Sequence, residues 1–403
     1  MKRLPVIGAV LAGFLAGVFA QALARLSPEA ALARILQQSP AQAAWFADAF
    51  LSQIPTTKID EIVAMYTGRL GAFQRVDASP DGYTVTMEHG TMPAKIVLDA
   101  DGKVTGLWFG LPESSQSVSV DDTLKQFAAL PGKVSVAVFE DGKLRSSLRP
   151  DDPLAVGSAF KLAILATLAQ EIAAGKHRWD EVVPLQPGWK SLPSGVLLKW
   201  PDQTPLTLAT LANQMISISD NTAADGLLAI AGREAVEKLA PRNQPFLSTR
   251  EAFILKSKAQ AALLATYQAA DASGRRALLA EVDKAALPDV SEFTDVPLHT
   301  EIEWFFTTTE LCGLMGQIAD LPAMDINPGV ANRSDWTQIA FKGGSEPGVL
   351  NLTTGTTGKN GHRYCVAATW NDTASLDEKR FELAYASLLR QLALGQLARE
   401  SGK

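Results

Sequence analysis

The sequence predicts an α+β protein of two units. A small unit has helices followed by an antiparallel sheet, and a larger α+β one has strands at both ends with helices between them. Three observations carry this. Apolar residues keep helical spacing from about 28 to 70, then give way to short alternating runs separated by Asp-Gly turns. Strand patterns near Val118 and again near the C-terminus bracket a long helical stretch, so one sheet must draw its strands from both ends of that unit. The chain has 403 residues, 47% hydrophobic and 20% charged, enough for two domains with a sizeable core.

The first residues read as an export signal. Lys2 and Arg3 precede the apolar run "LPVIGAVLAGFLAGVFA", and Ala20, Ala22 and Ala24 offer A-x-A cleavage sites. This predicts a cleaved signal peptide over 1–24 and a periplasmic or secreted protein. The alternative is an uncleaved anchor, since the run is almost long enough to span a bilayer. No cysteine lies nearby, which argues against a lipoprotein, and no later stretch is long and apolar enough to cross, so no stable membrane span is expected after cleavage.

A leader domain follows over 25–113. "AQAAWFADAFLSQI" and "TKIDEIVAMYTGRLG" have helical spacing, and "YTVTMEHG", "AKIVLDADG" and "KVTGLWFGL" read as strands. The linker falls at 114–117, within "PESSQS". The second unit covers 118–400. "KVSVAVFEDGKLRSSL" predicts a hairpin turning at Asp141-Gly142, and helical patterns run from Ser158 to about Ile318. "TQIAFKGGS", "GVLNLTTGTTG" and "HRYCVAATWN" predict three successive strands, and "LDEKRFELAYASLLRQLALGQL" a last helix.

Composition excludes several functions. The net charge is −6 with no dense Lys/Arg run, so no nucleic-acid partner is expected. The four histidines are scattered and no Cys/His cluster has metal-ligand spacing, so no metal or other cofactor is expected. Cys312 sits in a helical pattern and Cys365 in a strand pattern, each among apolar residues. Although an exported protein can form disulfides, two buried free thiols are the expectation.

The chemistry concentrates in three short stretches. In "AVGSAFKLAILATL", Ser158 stands at a helix start, where free N–H groups and the positive dipole end favour an anion. Lys161, three residues on, returns to the same face in an apolar segment. Desolvation lowers a lysine pKa and makes the amine a proton acceptor for a serine that needs one. The alternative is a helix cap beside a solvated lysine. In "ISISDNTAADGLL", Ser219-Asp220-Asn221 supplies a hydroxyl that can relay a proton and an amide that can hold a substrate, or else an N-cap. In "FKGGSEPG", Lys342 offers positive charge to a carboxylate, and Gly343-Gly344 lets a substrate backbone lie against a strand edge, or else the stretch is a turn.

These three stretches, in this order, resemble the serine β-lactamase and penicillin-binding protein superfamily, nearest to the class A β-lactamases, which share Ser-x-x-Lys, Ser-Asp-Asn and Lys-Thr-Gly. "LPSGVLLKWPDQTPLTLATLANQMISISDNTAAD" also follows the class A pattern, and the resemblance covers roughly 118 to 400. It implies a β-lactamase/transpeptidase-like fold, an antiparallel sheet flanked by helices plus a helical subdomain. It implies that Ser158 is acylated, that Lys161 activates it and that Ser219 shuttles a proton. It further implies that Asn221 holds a substrate amide, that Lys342 attracts a carboxylate beside Gly344, and that the N–H groups of Ser158 and Ser345 form the oxyanion hole. The substrate would be a small-molecule β-lactam, an ester or a peptidoglycan-like amide.

Three departures stand out. Gly343 lacks the usual hydroxyl, which Ser345 would in part replace; "VLNLTTG" lacks an arginine; and the Glu-x-x-Leu-Asn loop that positions the deacylating water is missing. "STREAFILKSKAQAALLATYQAADASGRRALLAEVDKAAL" reads as added helices in its place, leaving Glu251, Glu301 and Glu303 as stand-ins, with Glu251 equally readable as a helix first-turn acid. Slow deacylation is therefore expected. The leader domain together with "FKGGSEPGVLNLT" and "IEWFF" is similar to the β-lactamase-like proteins of clavulanic acid gene clusters. That likeness implies an NTF2-like, isomerase-like or cystatin-like leader and a preference for esters. Residues 25–113 hold no acid and tyrosine pair that compels a second active site, so the leader is read as a packing or recognition domain. The competing readings are a DD-peptidase or carboxylesterase on the same machinery, and a penicillin-binding sensor or trap that stays acylated.

Overall fold

A computed structural model describes residues 26–110, 112–114, 118–293 and 299–397. The expected signal over 1–24 and most of the linker lie outside them. The chain divides into two compact units, 1–116 and 117–403.

In the first unit, helices α1 (Pro28–Gln37), α2 (Asp48–Leu51) and α3 (Thr56–Leu70) precede strands β1 (Phe73–Ser79), β2 (Gly82–Met87), β3 (Gly90–Leu98), β4 (Val104–Phe109) and β5 (Glu113–Ser114). The antiparallel sheet has the order β1-β2-β3-β4, and β5 also pairs with β3. Ser27 caps α1 through Ala30 N, and its Ala31, Leu32, Ile35 and Leu36 are buried at helical spacing. The helix expected across "AQAAWFADAFLSQI" is broken into a 3-10 turn, Ala43–Trp45, and the single turn of α2. The backbone between them is claimed by the sheet, where Ala47 N donates to Val104 O at 3.0 Å. Strand β1 carried no sequence signal because only Phe73, Val76 and Ser79 are even half-buried.

The second unit begins with α4 (Val120–Ala128), capped by Ser119, and the expected hairpin of β6 (Lys133–Glu140) and β7 (Lys143–Leu148). After β8 (Leu154–Ala155) comes α5 (Lys161–Ala173), whose first eight residues are all buried. The chain then passes through β9 (Val182–Pro184), β10 (Pro205–Thr207), α6 (Leu208–Ser217), α7 (Asn221–Ala231) and α8 (Arg233–Leu239). Helices α9 (Thr249–Lys256), α10 (Ala261–Ala269) and α11 (Ala272–Val282) occupy the stretch read as added helices. β11 (Phe305–Phe306), α12 (Thr308–Ile318), α13 (Pro322–Asp325), β12 (Trp336–Glu346), β13 (Val349–Gly358), β14 (Arg363–Asn371) and α14 (Glu378–Ala393) complete it.

The main sheet has the order β12-β13-β14-β6-β7, antiparallel throughout, so strands from both ends of the unit do meet. It is covered on both faces. One core joins α5, α6, α7 and α12 to the sheet through Ala340 and Ala367, and the other packs Phe127 of α4 and Phe381, Tyr385 and Leu388 of α14 on Val136, Val366 and Trp370. Burial on both faces explains why β13 lacks a simple alternation.

Cys312 and Cys365 are not free thiols: they form a disulfide that ties α12 to β14, with a Cα–Cα distance of 5.7 Å. Cys312 is buried as expected and Cys365 is half-buried, but the packing of the helix on the strand sets their Cβ atoms against each other, which neither local pattern reveals. The bridge closes a segment of 53 residues. Replacing both cysteines by alanine should lower unfolding stability by roughly 2–4 kcal/mol, read by denaturant titration under non-reducing conditions. Among the described residues, no helix is long and apolar enough to cross a membrane.

Candidate active site

The site is built where a turn and a strand end meet. From β8 the chain enters a 3-10 turn, Gly157–Phe160, that leads into α5. Gly157 has φ +48°, and a Cβ there would lie 3.1 Å from Ser345 N. A Cβ on Gly344 would lie 2.2 Å from Val156 O and 2.4 Å from Ser158 N. The turn and the end of β12 thus touch backbone to backbone, and only glycines permit it. That contact gathers the N–H groups of Ser158 and Ser345 in one corner. Trp304 locks the other side of the turn: its ring stacks on Phe160 at 3.8 Å, and its carbonyl accepts from Val156 N at 3.0 Å.

Lys161 lies beneath Ser158, fully buried. Its Nζ is 2.6 Å from Ser219 O, 2.6 Å from Asn221 Oδ1, 3.0 Å from Ser219 Oγ and 3.1 Å from Ser158 Oγ. The first two are carbonyl oxygens, which only accept. A neutral amine has two protons to give them, and its lone pair then remains for the hydroxyls. Burial pushes the Lys161 pKa well down, the charge of Lys342 adds to this, and Asp225 and Asp220 oppose it. Geometry and electrostatics both favour the neutral amine as a proton acceptor for Ser158.

Ser219 bridges two lysines, because Lys342 Nζ donates to its Oγ at 3.1 Å. Lys342 also donates to the carbonyl of Gly343 and is buried, which lowers its pKa to about 7. Ser219 holds φ +59°, unusual for a residue with a side chain, and its carbonyl accepts from Ser194 Oγ at 2.8 Å. Asp220 plays the capping role that its residue type suggested: its carboxylate accepts from Ala223 N at 2.9 Å and from Val196 N at 2.6 Å. Asn221 donates from Nδ2 to Leu192 O at 3.0 Å, which fixes its Oδ1 toward Lys161.

The three motifs therefore converge. Ser158, Ser219, Asn221, Lys342, Gly344 and Ser345 line one cavity of about 690 Å³, with Lys161 below its floor. At Gly343 an added Cβ would sit 3.0 Å from the Phe341 ring, so the position with the missing hydroxyl is a tight one. Ser345 itself is exposed.

The three glutamates separate. Glu251 closes a capping box with Ser248 and pairs with Arg233 at 2.7 Å, which makes it a structural acid. Glu301 is an exposed residue that takes hydrogen bonds from Gln268 Nε2 at 2.7 Å and pairs with His299 at 3.1 Å, away from the cavity lining. Glu303 lines the cavity, and its side chain is only 2% exposed. It pairs with Lys256, which also binds Glu346 at 2.8 Å. Lys256 and Glu346 went unnoticed in the sequence. They are 90 residues apart, and no spacing connects them. Glu346 alone had a visible cue, its place directly after Ser345. Among the described residues no group of His, Cys, Asp or Glu could hold a metal ion.

Residues 118–276 match a family model described as the beta-lactamase enzyme family. No curated protein matches the chain. Among solved structures, a β-lactamase from Sphaerobacter thermophilus is similar at 19% identity and TM-score 0.48, over 71% of this chain and 100% of that one. The protein PBP-A is similar at 15% identity and TM-score 0.48, over 69% and 96%. A β-lactamase from Xanthomonas campestris gives 15% identity and TM-score 0.46, over 70% and 100%. With its three motifs converging on one cavity, the second unit has a β-lactamase/transpeptidase-like fold, and through residues 118–276 it matches the beta-lactamase enzyme family.

Proposed function

We propose that the protein is an extracytoplasmic serine hydrolase that acylates Ser158 with a β-lactam or a related ester or amide and then hydrolyses the acyl-enzyme. The observation that carries this reading is the Lys161 amine, buried and held by two carbonyls with the Ser158 hydroxyl 3.1 Å away. Lys161 takes the proton of Ser158 as Oγ bonds to the substrate carbonyl carbon. The oxyanion forms against the N–H groups of Ser158 and Ser345. The scissile C–N or C–O bond then breaks, and the leaving atom collects a proton through Ser219. Lys342 supplies charge for a substrate carboxylate, and Asn221 orients the acyl side chain.

The absence of a side-chain hydroxyl at Gly343 favours a second substrate class on the same machinery. Esters without a carboxylate lose nothing there, which supports a carboxylesterase or DD-peptidase role. A sensor or trap differs only in never losing the acyl group. The Cys312–Cys365 disulfide supports an oxidising compartment, periplasmic or secreted.

Deacylation is the slow step in this reading, because the loop that would hold a water is replaced by α9–α11. A chromogenic cephalosporin should give a burst of about one equivalent followed by slow turnover. Intact-protein mass after a pulse and chase should show one adduct that forms faster than it is lost. If no adduct appears with β-lactams or activated esters, the reading is wrong.

A further inference from the structure

The cavity contains a carboxylate that the acylation step does not use. The Glu303 side chain is buried and lines the same cavity as Ser158; its Oε2 meets no N–H or hydroxyl donor, and its carboxyl interacts with that of Glu346. A buried carboxylate oxygen without a donor is uncommon in a folded protein and marks a place where something else pairs. The position follows from the pairing of β11 with β8, which matches Phe305 to Ala155. Glu303 thus stands two residues before that pair, on the segment whose Trp304 braces the Ser158 turn. Glu346, held by the same Lys256, follows Ser345 at the oxyanion corner.

We infer that Glu303 is the general base for deacylation, with Lys256 and Glu346 as its positioning residues. This rests on the acyl-enzyme reading above. A water on the ester gives its proton to Glu303 as its oxygen bonds to the acyl carbon. The C–Oγ bond then breaks, Ser158 Oγ takes up the proton that the water gave to Glu303, and the acid leaves, which resets the site. One water is consumed and Ser158 is restored.

The charged groups that face Glu303 are Lys256 from α9 and Glu346 from the end of β12. Lys342, Glu378 and Glu382 also line the cavity. Burial pushes Glu303 well above the usual carboxylate range, and the negative charge of Glu346 adds to it, while Lys256 pulls it down. Burial would lower Lys256, but its two carboxylate partners hold it above the ordinary lysine value, so it remains charged. A base must be ionised. Deacylation therefore rises with pH through a raised carboxylate pKa and is slow where that carboxylate is still protonated.

The test measures adduct loss by intact mass on the full chain after a cephalosporin pulse, across pH. Glu303→Gln should acylate to the same stoichiometry but lose its adduct ~10²–10⁴-fold more slowly, with the pH-dependent rise gone. Glu346→Gln should move the rise to lower pH, a shift that a merely structural role would not produce. If Glu303→Gln does not fold, Glu303→Asp keeps the charge while withdrawing the carboxylate, and slower adduct loss with acylation intact is the expected result. Adducts lost as fast as from the parent, with the same pH profile, would overturn the inference alone. A parent protein that forms no adduct would overturn the hydrolase reading itself.

Discussion

Ser158→Ala will take no label from a fluorescent penicillin and show no mass adduct, while its unfolding curve stays close to that of the parent. The loss should be complete because, among the described residues, no other hydroxyl is equivalently placed. Ser219 Oγ is 3.0 Å from the Lys161 amine, but it is shared with Lys342 at 3.1 Å and does not start a helix. The stability should change by no more than about 1 kcal/mol. Ser158 is half-buried, and among the described residues its hydroxyl meets only Lys161, which keeps the Ser219 and Asn221 carbonyls. Labelling that persists in this variant would remove Ser158 as the nucleophile.

Gly344→Ala should cut the acylation rate by at least ~10²–10³, the usual consequence of losing one oxyanion donor. The methyl group would sit 2.2 Å from Val156 O, 2.4 Å from Ser158 N and 2.6 Å from Ala159 N, all backbone atoms that no rotamer change can move aside. The end of β12 must retreat, carrying the N–H of Ser345 away from that of Ser158. Overpacking of this kind also costs about 1–3 kcal/mol of stability. Stopped-flow acylation and a thermal melt separate the two effects. Acylation at the parental rate would mean that the strand does not supply the second oxyanion donor.

Much of the molecule could be read without coordinates. Ser158-x-x-Lys161, Ser219-Asp220-Asn221 and Lys342-Gly343-Gly344 are local words, each tied to one element start or strand end, and the structure brings all three to one cavity. The hairpin at Asp141-Gly142, the three late strands and the last helix were equally legible, since period and turn residues act over a few positions. The failures were of another kind. The helix expected over 41–54 gave way to a tertiary hydrogen bond, Ala47 N to Val104 O. β1 was invisible because an edge strand with polar faces has no periodicity to show. The cysteines were taken for free thiols because each was judged by its own surroundings.

By itself the sequence determined which residue types stand at helix starts and strand ends, and so where Ser158, Lys161 and Lys342 sit in their local elements. These depend on neighbours three or four positions away, where the backbone carries the geometry. Only the tertiary structure decided that Cys312 meets Cys365, that Gly344 presses on the Ser158 turn, and that Lys256, Glu303 and Glu346 share one wall of the cavity. Those contacts join residues 47 to 188 positions apart, and such distances are closed by the packing of whole elements, which no local pattern encodes.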